Sequence, residues 1–336
     1  MKELMELMNL EAVSGDENTV RSYLLKKITP HCKDVKVDKS GNLIVHKKGK
    51  GPSVMLVAHM DEIGLIIKSI EKEGTIHVAF LGDIDPITCI GQEVEIAINK
   101  KKKIKGVVST IKINAGEDME ALPKEEDIIV DTGLTKAELK KKGVDIGSFL
   151  EFNRKSTFLG SENIIAGKAV DDRVGCFMLL ESIRRTKKSP ADIYYVFTVQ
   201  EELGMYGAKT SVYNINPEWA VILDTTEAKD FTEETNLLGA GPVLTIMDSD
   251  QLTDSRLNKH IETIAKKKKI PLQKEVNEIN TTDALFISLA KGGIPAAVLN
   301  LPVRNLHTAV SIVHTKDITD LCSLLESLLK NPARIK

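Results

Sequence analysis

The sequence predicts an α/β protein in which a doubly wound sheet is interrupted by a β-rich insertion. Strand and helix patterns alternate from residue 163 to residue 330, and such alternation is typical of a doubly wound sheet. A short, entirely apolar run at residues 54–57 predicts a strand that is buried on both faces. Between residues 65 and 153, short β-rich runs are separated by glycines or charged turns, a spacing that indicates a small barrel or sandwich.

The predicted elements follow in chain order. Helices at residues 1–12 and 16–29 and a hairpin at 35–37 and 42–46 precede the buried strand at 54–58. In the insertion, strands are predicted at 65–70, 75–80, 92–98, 104–111 and 147–153, and a helix at 135–142. After the insertion, strands at 165–169, 193–199, 219–223 and 296–300 are interspersed with helices at 172–186, 205–213, 254–268, 283–291 and 317–330.

These elements predict two domains. Residues 1–62 and 163–336 form one α/β domain, and residues 63–162 are inserted into it as a β-rich domain. The alternative is a pair of consecutive domains divided near residue 155. It is less favoured because residues 1–62 contain too little to bury their own apolar strand on both faces.

The bulk composition excludes several classes of protein. The chain has 336 residues with 46 basic and 48 acidic side chains, and the net charge of −2 favours neither nucleic acid nor a membrane as a partner. Its four cysteines are far apart and form no CxxC pair, which favours reduced thiols over disulfides or a zinc knuckle. The amphipathic N-terminus lacks the apolar core of a signal peptide, and no apolar run approaches the roughly 18 residues of a membrane span. A soluble, cytoplasmic protein is therefore expected.

Ionisable side chains follow the ends of the predicted strands. His59 and Asp61 come directly after the strand at 54–58, at the edge where an open α/β sheet gathers its ligands. The arrangement recurs after the four later strands, with Asp171 and Asp172 opening a helix, Glu201-Glu202, Asp224, and His307. Each residue alone could serve as a helix cap, a solvated turn or a hydrogen-bonded core residue. Together they are expected to meet at one edge of one sheet.

Such a cluster predicts bound cations. Like charges packed at one edge repel each other unless cations neutralise them. Two histidines and at least three carboxylates form a mixed nitrogen and oxygen ligand set that suits zinc, cobalt or manganese. These donors are too many for one tetrahedral ion, so we expect two ions that share a carboxylate bridge, about 3.5–4 Å apart.

The ordered motifs resemble those of one family. They are His59-x-Asp61-Glu62, Asp171-Asp172-Arg173-x-Gly175, Glu201-Glu202-x-Gly204, Asp224-Thr225-Thr226 and Arg304-x-x-His307-Thr308, with Ser14-Gly15-Asp16-Glu17 before them and Gly239-x-Gly241-Pro242 after the fourth. This order resembles that of the TET and glutamyl-type metallo-aminopeptidases, which use two catalytic metal ions, and it spans the whole chain. The resemblance implies a zinc-peptidase-like α/β/α sandwich with an inserted small β-barrel domain, in agreement with the predicted boundaries.

The resemblance also implies a metal-binding role for five residues. Asp171 would bridge two divalent ions in each subunit, with zinc or cobalt expected. His59 and Asp224 would complete one site, and Glu202 and His307 would complete the other.

Two further carboxylates take catalytic roles by the same resemblance. Glu201 matches the general base, and Asp61 matches the carboxylate that orients the first histidine and raises its basicity. In the expected mechanism, a water that bridges the two cations becomes hydroxide near neutral pH, and Glu201 accepts its proton. The hydroxide attacks the scissile carbonyl, and Glu201 returns the proton to the leaving amine. The family implies that peptides lose their N-terminal residue in this way.

The chain departs from the family pattern at two places. The family commonly has Gly-Thr-Asp where this chain has Thr281-Thr282-Asp283. His314 stands where relatives often have a small or acidic residue, although the Arg-x-x-His-Thr motif assigns the ligand to His307. Neither departure changes the expected metal ligands.

Other functions remain open at the level of sequence. A dimetal carboxypeptidase or a deacylase of N-acyl amino acids would use the same ligands on a different bond. A non-catalytic metal-binding assembly protein would need no spare carboxylate such as Glu201 beside a ligand. The family further implies a homo-oligomer in which dimers build a shell of twelve subunits, with residues 63–162 supplying contacts or controlling substrate access.

Overall fold

The computed structural model describes residues 1–99, 102–118, 121–232 and 235–335. The strands are β1 (Val35–Val37), β2 (Leu43–Lys47), β3 (Ser53–His59), β4 (Gly64–Ile70), β5 (Ile76–Leu81), β6 (Glu93–Asn99), β7 (Lys102–Thr110), β8 (Ile128–Asp131), β9 (Phe149–Phe152), β10 (Thr157–Leu159), β11 (Ser161–Gly167), β12 (Asp192–Thr198), β13 (Trp219–Glu227), β14 (Val243–Met247), β15 (Gln273–Val276), β16 (Ala296–Arg304) and β17 (Ser311–His314). The helices are α1 (Lys2–Met8), α2 (Asn18–Ile28), α3 (Pro86–Cys89), α4 (Ile111–Ala115), α5 (Lys136–Lys141), α6 (Val170–Arg185), α7 (Tyr206–Asn214), α8 (Ser255–Lys268), α9 (Ala284–Leu289) and α10 (Thr315–Lys330). Within these described ranges, no helix combines the length and the apolar character that crossing a membrane requires.

A mixed sheet of eleven strands forms the centre of the larger unit. Its main path runs β1-β2-β12-β3-β13-β16-β17-β11-β10, and β14 joins β16 to β15 beside that path. The central strands β12, β3, β13 and β16 are parallel to their neighbours in this order. Parallel strands end at the same edge of a sheet, so residues at the carboxyl ends of these four strands come together.

Helices cover both faces of this sheet. Alternate residues of β3 face opposite sides: Leu56 belongs to the core that includes side chains of α1, α2, α6, α8 and α10, whereas Met55 and Val57 belong to the core that includes side chains of α7 and α9. This alternation is what a strand buried on both faces requires. The result is the predicted α/β/α sandwich, with its core on both sides of the sheet.

The insertion forms a closed barrel of strands in the order β4-β5-β8-β7-β6-β9, and β9 pairs with β4 to complete it. Its apolar side chains form a core of their own, which includes Leu65, Val94, Val130 and Leu150. All six strands lie between Gly64 and Phe152. The barrel prediction is therefore confirmed, and closure leaves its strands without a free edge.

The structure corrects several predicted boundaries. Asp224 lies within β13 rather than after it, because pairing with β16 extends the strand to Glu227. Strand β11 ends at Gly167 rather than at residue 169, and α6 begins at Val170 rather than at residue 172, so that Asp171 lies in its first turn, where the sequence placed it at the start of a helix. Helix α1 stops at Met8 instead of residue 12, and the carbonyls of Leu7, Leu10 and Ala12 accept hydrogen bonds from the guanidinium of Arg173.

Five strands were not predicted: β8, β10, β14, β15 and β17. Each has only three to five residues. Such short segments carry too few residues for a periodic pattern, and pairing with neighbouring strands stabilises them.

Candidate metal and active site

Six of the seven predicted site residues line a single cavity of about 330 Å³: His59, Asp171, Glu201, Glu202, Asp224 and His307. The cavity opens at the carboxyl edge of the parallel strands, where His59 ends β3 and Glu201 and Glu202 follow β12. The seventh residue, Asp61, is fully buried beside the cavity. The segments that the sequence analysis selected therefore meet in space.

Asp171 lies between the two histidines. Its Oδ1 atom is 3.1 Å from Nε2 of His59, and its Oδ2 atom is 3.3 Å from Nε2 of His307. The backbone of Asp171 and Asp172 is not helical although both residues lie in the first turn of α6, and the peptide bond between them is cis. This local conformation accompanies a side chain that presents one oxygen to each imidazole.

Each histidine also faces a second carboxylate. Nε2 of His59 lies 3.9 Å from Oδ1 of Asp224, and Nε2 of His307 lies 3.9 Å from Oε2 of Glu202. Two groups of three residues have potential ligand atoms that lie within 4.8 Å of one another inside the group. One group is His59, Asp171 and Glu202, and the other is Asp171, Asp172 and Asp224. Asp171 belongs to both groups, so its carboxylate is the geometric centre of the cluster.

Burial and the charge of Asp171 disfavour the ionised forms of Glu202 and Asp224. Burial raises the pKa of Glu202 to about 7, and the neighbouring charge of Asp171 adds to the effect. Burial and Asp171 likewise raise the pKa of Asp224 well above its usual range. In Glu202, the buried Oε1 atom has no hydrogen-bond partner among the described residues. These are the conditions that a cation relieves.

The pKa values of the two histidines are also raised, which for an imidazole favours the charged form. Burial alone would lower the pKa of His59, but its contacts with Asp171 and Asp61 outweigh burial and raise it well above the ordinary value. For His307, Asp171 similarly outweighs burial and raises the pKa to about 9. Imidazole nitrogens and carboxylate oxygens are ligands of zinc and related divalent ions. The donor set therefore fits metal ions, which would replace protons on both kinds of ligand.

Asp61 organises the backbone around the site. Its oxygens accept hydrogen bonds from the backbone N–H groups of Glu201 and Glu202, each at 3.1 Å, and from the hydroxyl of Ser14 at 2.5 Å. One of the same oxygens lies 3.5 Å from Nδ1 of His59. Asp61 thus connects the imidazole on β3 to the acidic turn that follows β12.

Glu201 differs from its neighbours because it belongs to neither group of potential ligands. Its carboxyl group lines the cavity beside them. Burial raises the pKa of Glu201 well above its usual range, and the negative charges of Asp224 and Asp283 add to that effect. A buried carboxyl group with a raised pKa is suited to accept and return a proton.

Arg173 is a structural residue whose role the sequence did not reveal. Its guanidinium is fully buried and donates to the carbonyl of Met60 at 2.9 Å and to Oε1 of Glu62 at 3.1 Å. Lys168 reaches the same oxygen of Glu62 at 2.7 Å. Arg173 therefore holds the backbone between His59 and Asp61, and it lies on the helix that carries Asp171.

Asp172 was also assigned no role from the sequence. Its Oδ1 atom accepts a hydrogen bond from the backbone N–H of Gly175 at 2.9 Å, and its Oδ2 atom is buried without a described partner. A Cβ atom at Gly175 would lie 2.2 Å from that Oδ2 atom. The glycine of the Asp-Asp-Arg-x-Gly motif is thus required for the close approach of this carboxylate.

The two departures from the family pattern lie in different places. His314 caps α10, where its Nδ1 atom accepts the backbone N–H of Lys316 at 3.1 Å, and it does not line the cavity. Thr281 and Thr282 do line the cavity. Asp283 is buried behind them and accepts the hydroxyl of Thr198 at 2.6 Å, and burial raises its pKa to about 6.

Comparison with known proteins identifies the family. The model of the M42 glutamyl aminopeptidase family matches residues 41–324 of the chain. A curated relative, a lysyl aminopeptidase of Pyrococcus furiosus, is 34% identical over 337 residues, which cover 98% of this chain and 96% of the relative. The similarity therefore extends through both the sandwich and the barrel.

Solved structures agree with this comparison. An aminopeptidase from Desulfurococcus kamchatkensis superposes with a TM-score of 0.93 at 32% identity, covering 99% of this chain and 94% of the other. The TET1 peptidase of Pyrococcus horikoshii, which assembles into a tetrahedron or a large octahedral shell, superposes with a TM-score of 0.88 at 28% identity, covering 98% and 99%. The fold, the match across most of the chain and the identity to curated aminopeptidases lead to one conclusion: the chain belongs to the M42 glutamyl aminopeptidase family and is a hydrolase that acts on peptides.

Proposed function

We propose that the protein is a dimetal aminopeptidase that removes the N-terminal residue of peptides. The observation that carries the proposal is the position of Asp171, whose two oxygens face His59 and His307 separately. A carboxylate with one oxygen toward each imidazole is suited to join two metal sites. Membership of an aminopeptidase family supports the choice of bond.

The proposed ligands divide into two sets around Asp171. His59 and Asp224 would hold one ion, and Glu202 and His307 would hold the other, with zinc or cobalt as the metals. The 3.9 Å separations between the partners of each set support this division. Asp61 would act through His59, because a carboxylate beside the second imidazole nitrogen fixes the tautomer and raises ligand basicity.

The catalytic chemistry needs a group that moves protons. When bound, the two divalent ions would polarise the scissile carbonyl and make a water molecule acidic near neutral pH. Glu201 would accept a proton from the attacking water on its carboxylate and donate it to the nitrogen of the leaving amine. Its place outside both ligand groups leaves its oxygens available for this transfer.

A substrate panel tests the proposal. The zinc- or cobalt-reconstituted protein is assayed with peptides that carry a free amine, an N-acetyl group or a C-terminal amide. We expect that hydrolysis requires the free amine and survives C-terminal amidation. Hydrolysis that survives acetylation and stops when the C-terminus is masked would contradict the aminopeptidase and favour a carboxypeptidase. Cleavage of N-acyl amino acids alone would favour a deacylase.

The larger organisation is also a proposal. Residues 1–62 and 163–336 would form the catalytic unit and residues 63–162 an inserted unit that supplies contacts in a homo-oligomer. The confinement of all barrel strands to Gly64–Phe152 supports the insertion, whereas β10 and the first residues of β11, which also precede residue 163, pair within the large sheet. The tetrahedral and octahedral shells of the TET1 relative support self-association. The four unpaired cysteines support a cytoplasmic location, where thiols stay reduced.

The relatives leave the preferred N-terminal residue open. The family carries the name of glutamyl aminopeptidase, whereas the Pyrococcus furiosus relative is named for lysyl substrates. These names refer to side chains of opposite charge. The preference of this protein must therefore follow from its own cavity.

A further inference from the structure

The cavity continues beyond the proposed metal ligands. We call its far end the distal subsite and define it by the lining residues Thr245, Asp248, Glu275 and Asn300. They lie on or next to β14, β15 and β16, in the same sheet that carries Asp224. None of them is a proposed metal ligand, so their side chains are available to contact another part of the substrate.

The distal subsite lies within reach of the reaction centre. Asn300 is the register partner of Asp224, and Thr226 is two residues beyond Asp224, so these side chains share one face of the sheet. Both donate to Glu275, the Thr226 hydroxyl at 2.8 Å and the Asn300 amide at 3.1 Å. The Glu275 carboxylate is thus about two residues, or roughly 7 Å, along the strand from Asp224.

Glu275 is oriented by neutral groups. Besides Thr226 and Asn300, its oxygens accept hydrogen bonds from the Thr245 hydroxyl at 2.6 Å and the Asn236 amide at 2.7 Å. Four donors fill about all the lone-pair positions of an ionised carboxylate. These four donors fix the position of the carboxylate, but they are neutral and do not compensate its negative charge. A cation in the cavity would be attracted to it.

A buried polar atom in the distal subsite indicates a ligand. Asn300 is only 3% exposed, and its Oδ1 atom has no hydrogen-bond partner among the described residues. Buried polar atoms without partners are uncommon in folded proteins. A hydrogen-bond donor on a substrate would satisfy this oxygen.

The charge of the cavity indicates which kind of hydrogen-bond donor the substrate would carry. The described residues that line it include no lysine and no arginine, while Asp248 and Glu275 place two carboxylates at the far end. An acidic substrate side chain would meet like charges there. Apolar side chains of Leu203, Met205 and Ile279 line the same cavity and can pack against methylene groups.

We infer that the distal subsite binds the side chain of the N-terminal residue and selects lysine or arginine. This inference rests on the proposed aminopeptidase function. The apolar stem of a lysine or arginine spans the distance from the reaction centre, and its cationic head lies beside the negative charge of Glu275 and donates to the unpartnered Oδ1 atom of Asn300.

Wild-type kinetics provide the first test. The reconstituted enzyme is assayed with lysyl, arginyl, norleucyl and glutamyl arylamides, of which norleucine matches the lysine stem without its charge. We expect kcat/KM for lysyl and arginyl substrates to exceed that for norleucyl by roughly 10- to 100-fold, with glutamyl lowest. Faster cleavage of norleucyl or glutamyl substrates would overturn the subsite but leave the aminopeptidase intact. Cleavage of none of the four substrates would contradict the proposed function itself.

Substitutions provide the second test. Glu275→Gln keeps the hydrogen-bonding shape and removes the charge, so the lysyl to norleucyl ratio of kcat/KM should fall at least about tenfold. Asp248→Asn should lower the same ratio less. Glu278→Gln removes a charge from an exposed residue that does not line the cavity, so it serves as the control and should keep the wild-type ratio. An unchanged ratio in Glu275→Gln would overturn the inference. If that variant does not fold, the wild-type series decides.

Discussion

The Nε2 atom of His59 lies 3.1 Å from the Oδ1 atom of Asp171, although the two residues are 112 positions apart in the chain. The other nitrogen of the same imidazole faces Asp61, which also receives the backbone N–H groups of Glu201 and Glu202. The end of β3, the start of α6 and the acidic turn after β12 are therefore coupled through the side chains of His59 and Asp61.

Removal of the proposed general base should separate chemistry from metal binding. In Glu201→Gln, we expect two equivalents of metal to remain, while kcat falls by about 10²- to 10⁴-fold because the proton acceptor is lost. Metal analysis together with steady-state kinetics measures both quantities. Glu202→Gln is the comparison and should lose metal. Full activity in Glu201→Gln would show that the base is another residue.

The two candidate histidines should behave differently. His307→Ala removes a nitrogen that lies 3.3 Å from Asp171, so the metal content after dialysis should fall. His314→Ala removes only the cap of α10, at a cost of about 1 kcal/mol in the free energy of unfolding, and should keep its metal. A metal count that drops in His314→Ala and not in His307→Ala would reverse the assignment.

Asp61 should influence metal affinity without being a ligand. In Asp61→Asn, one carboxylate oxygen becomes an NH₂ group, which cannot accept the backbone N–H of Glu201 or Glu202. We expect metal affinity to weaken by about 10- to 100-fold in competition with a chelator. Asp16→Asn, at an exposed position of the same acidic type, is the control. Wild-type affinity in Asp61→Asn would mean that the site does not depend on this carboxylate.

An ion pair far from the site should make stability depend on pH in acid. Arg184 and Lys27 lower the pKa of Glu3 to about 2, against the smaller opposing effect of burial. A carboxyl group with a lowered folded-state pKa contributes stability above its unfolded value of 4.5, and this contribution is lost as the pH falls toward 2.

Glu3→Gln should therefore lower the free energy of unfolding by about 1 kcal/mol at pH 7, a value discounted because the pair is partly exposed. The difference from the wild type should shrink as the pH falls below 4.5. Denaturant unfolding at several pH values measures it. Glu162→Gln, an exposed control, should match the wild type throughout. A deficit in Glu3→Gln that stays constant down to pH 2 would contradict the ion-pair explanation.

The central part of the fold could be predicted because its signals are local. The apolar run of β3 and the alternation of strands and helices depend only on neighbouring residues, and they indicated the sheet and the edge where His59 lies. The same holds for the barrel, whose strands are separated by turn residues. By contrast, β14 and β15 have too few residues for a pattern: β14 is stabilised by pairing with β16, and β15 by pairing with β14.

Much of the candidate site could be predicted for the same reason, and its supporting contacts could not. Asp171 and Glu201 follow recognisable segments, and resemblance to a family gave them expected roles. The role of Arg173 could not be predicted from the sequence. Its guanidinium donates to the backbone carbonyls of Leu7, Leu10 and Met60, which are more than a hundred residues away and carry no side-chain signal. Glu275 is similar: its four donors come from separate segments, and only the folded sheet assembles them.

The central claim is that Asp171 joins two metal sites. It is tested most directly by anomalous diffraction from crystals of the zinc-loaded protein, measured on both sides of the zinc absorption edge. We predict two anomalous peaks, about 3.5–4 Å apart, each beside a different oxygen of Asp171, with His59 at one peak and His307 at the other. A single peak, or two peaks that do not contact Asp171, would contradict the account.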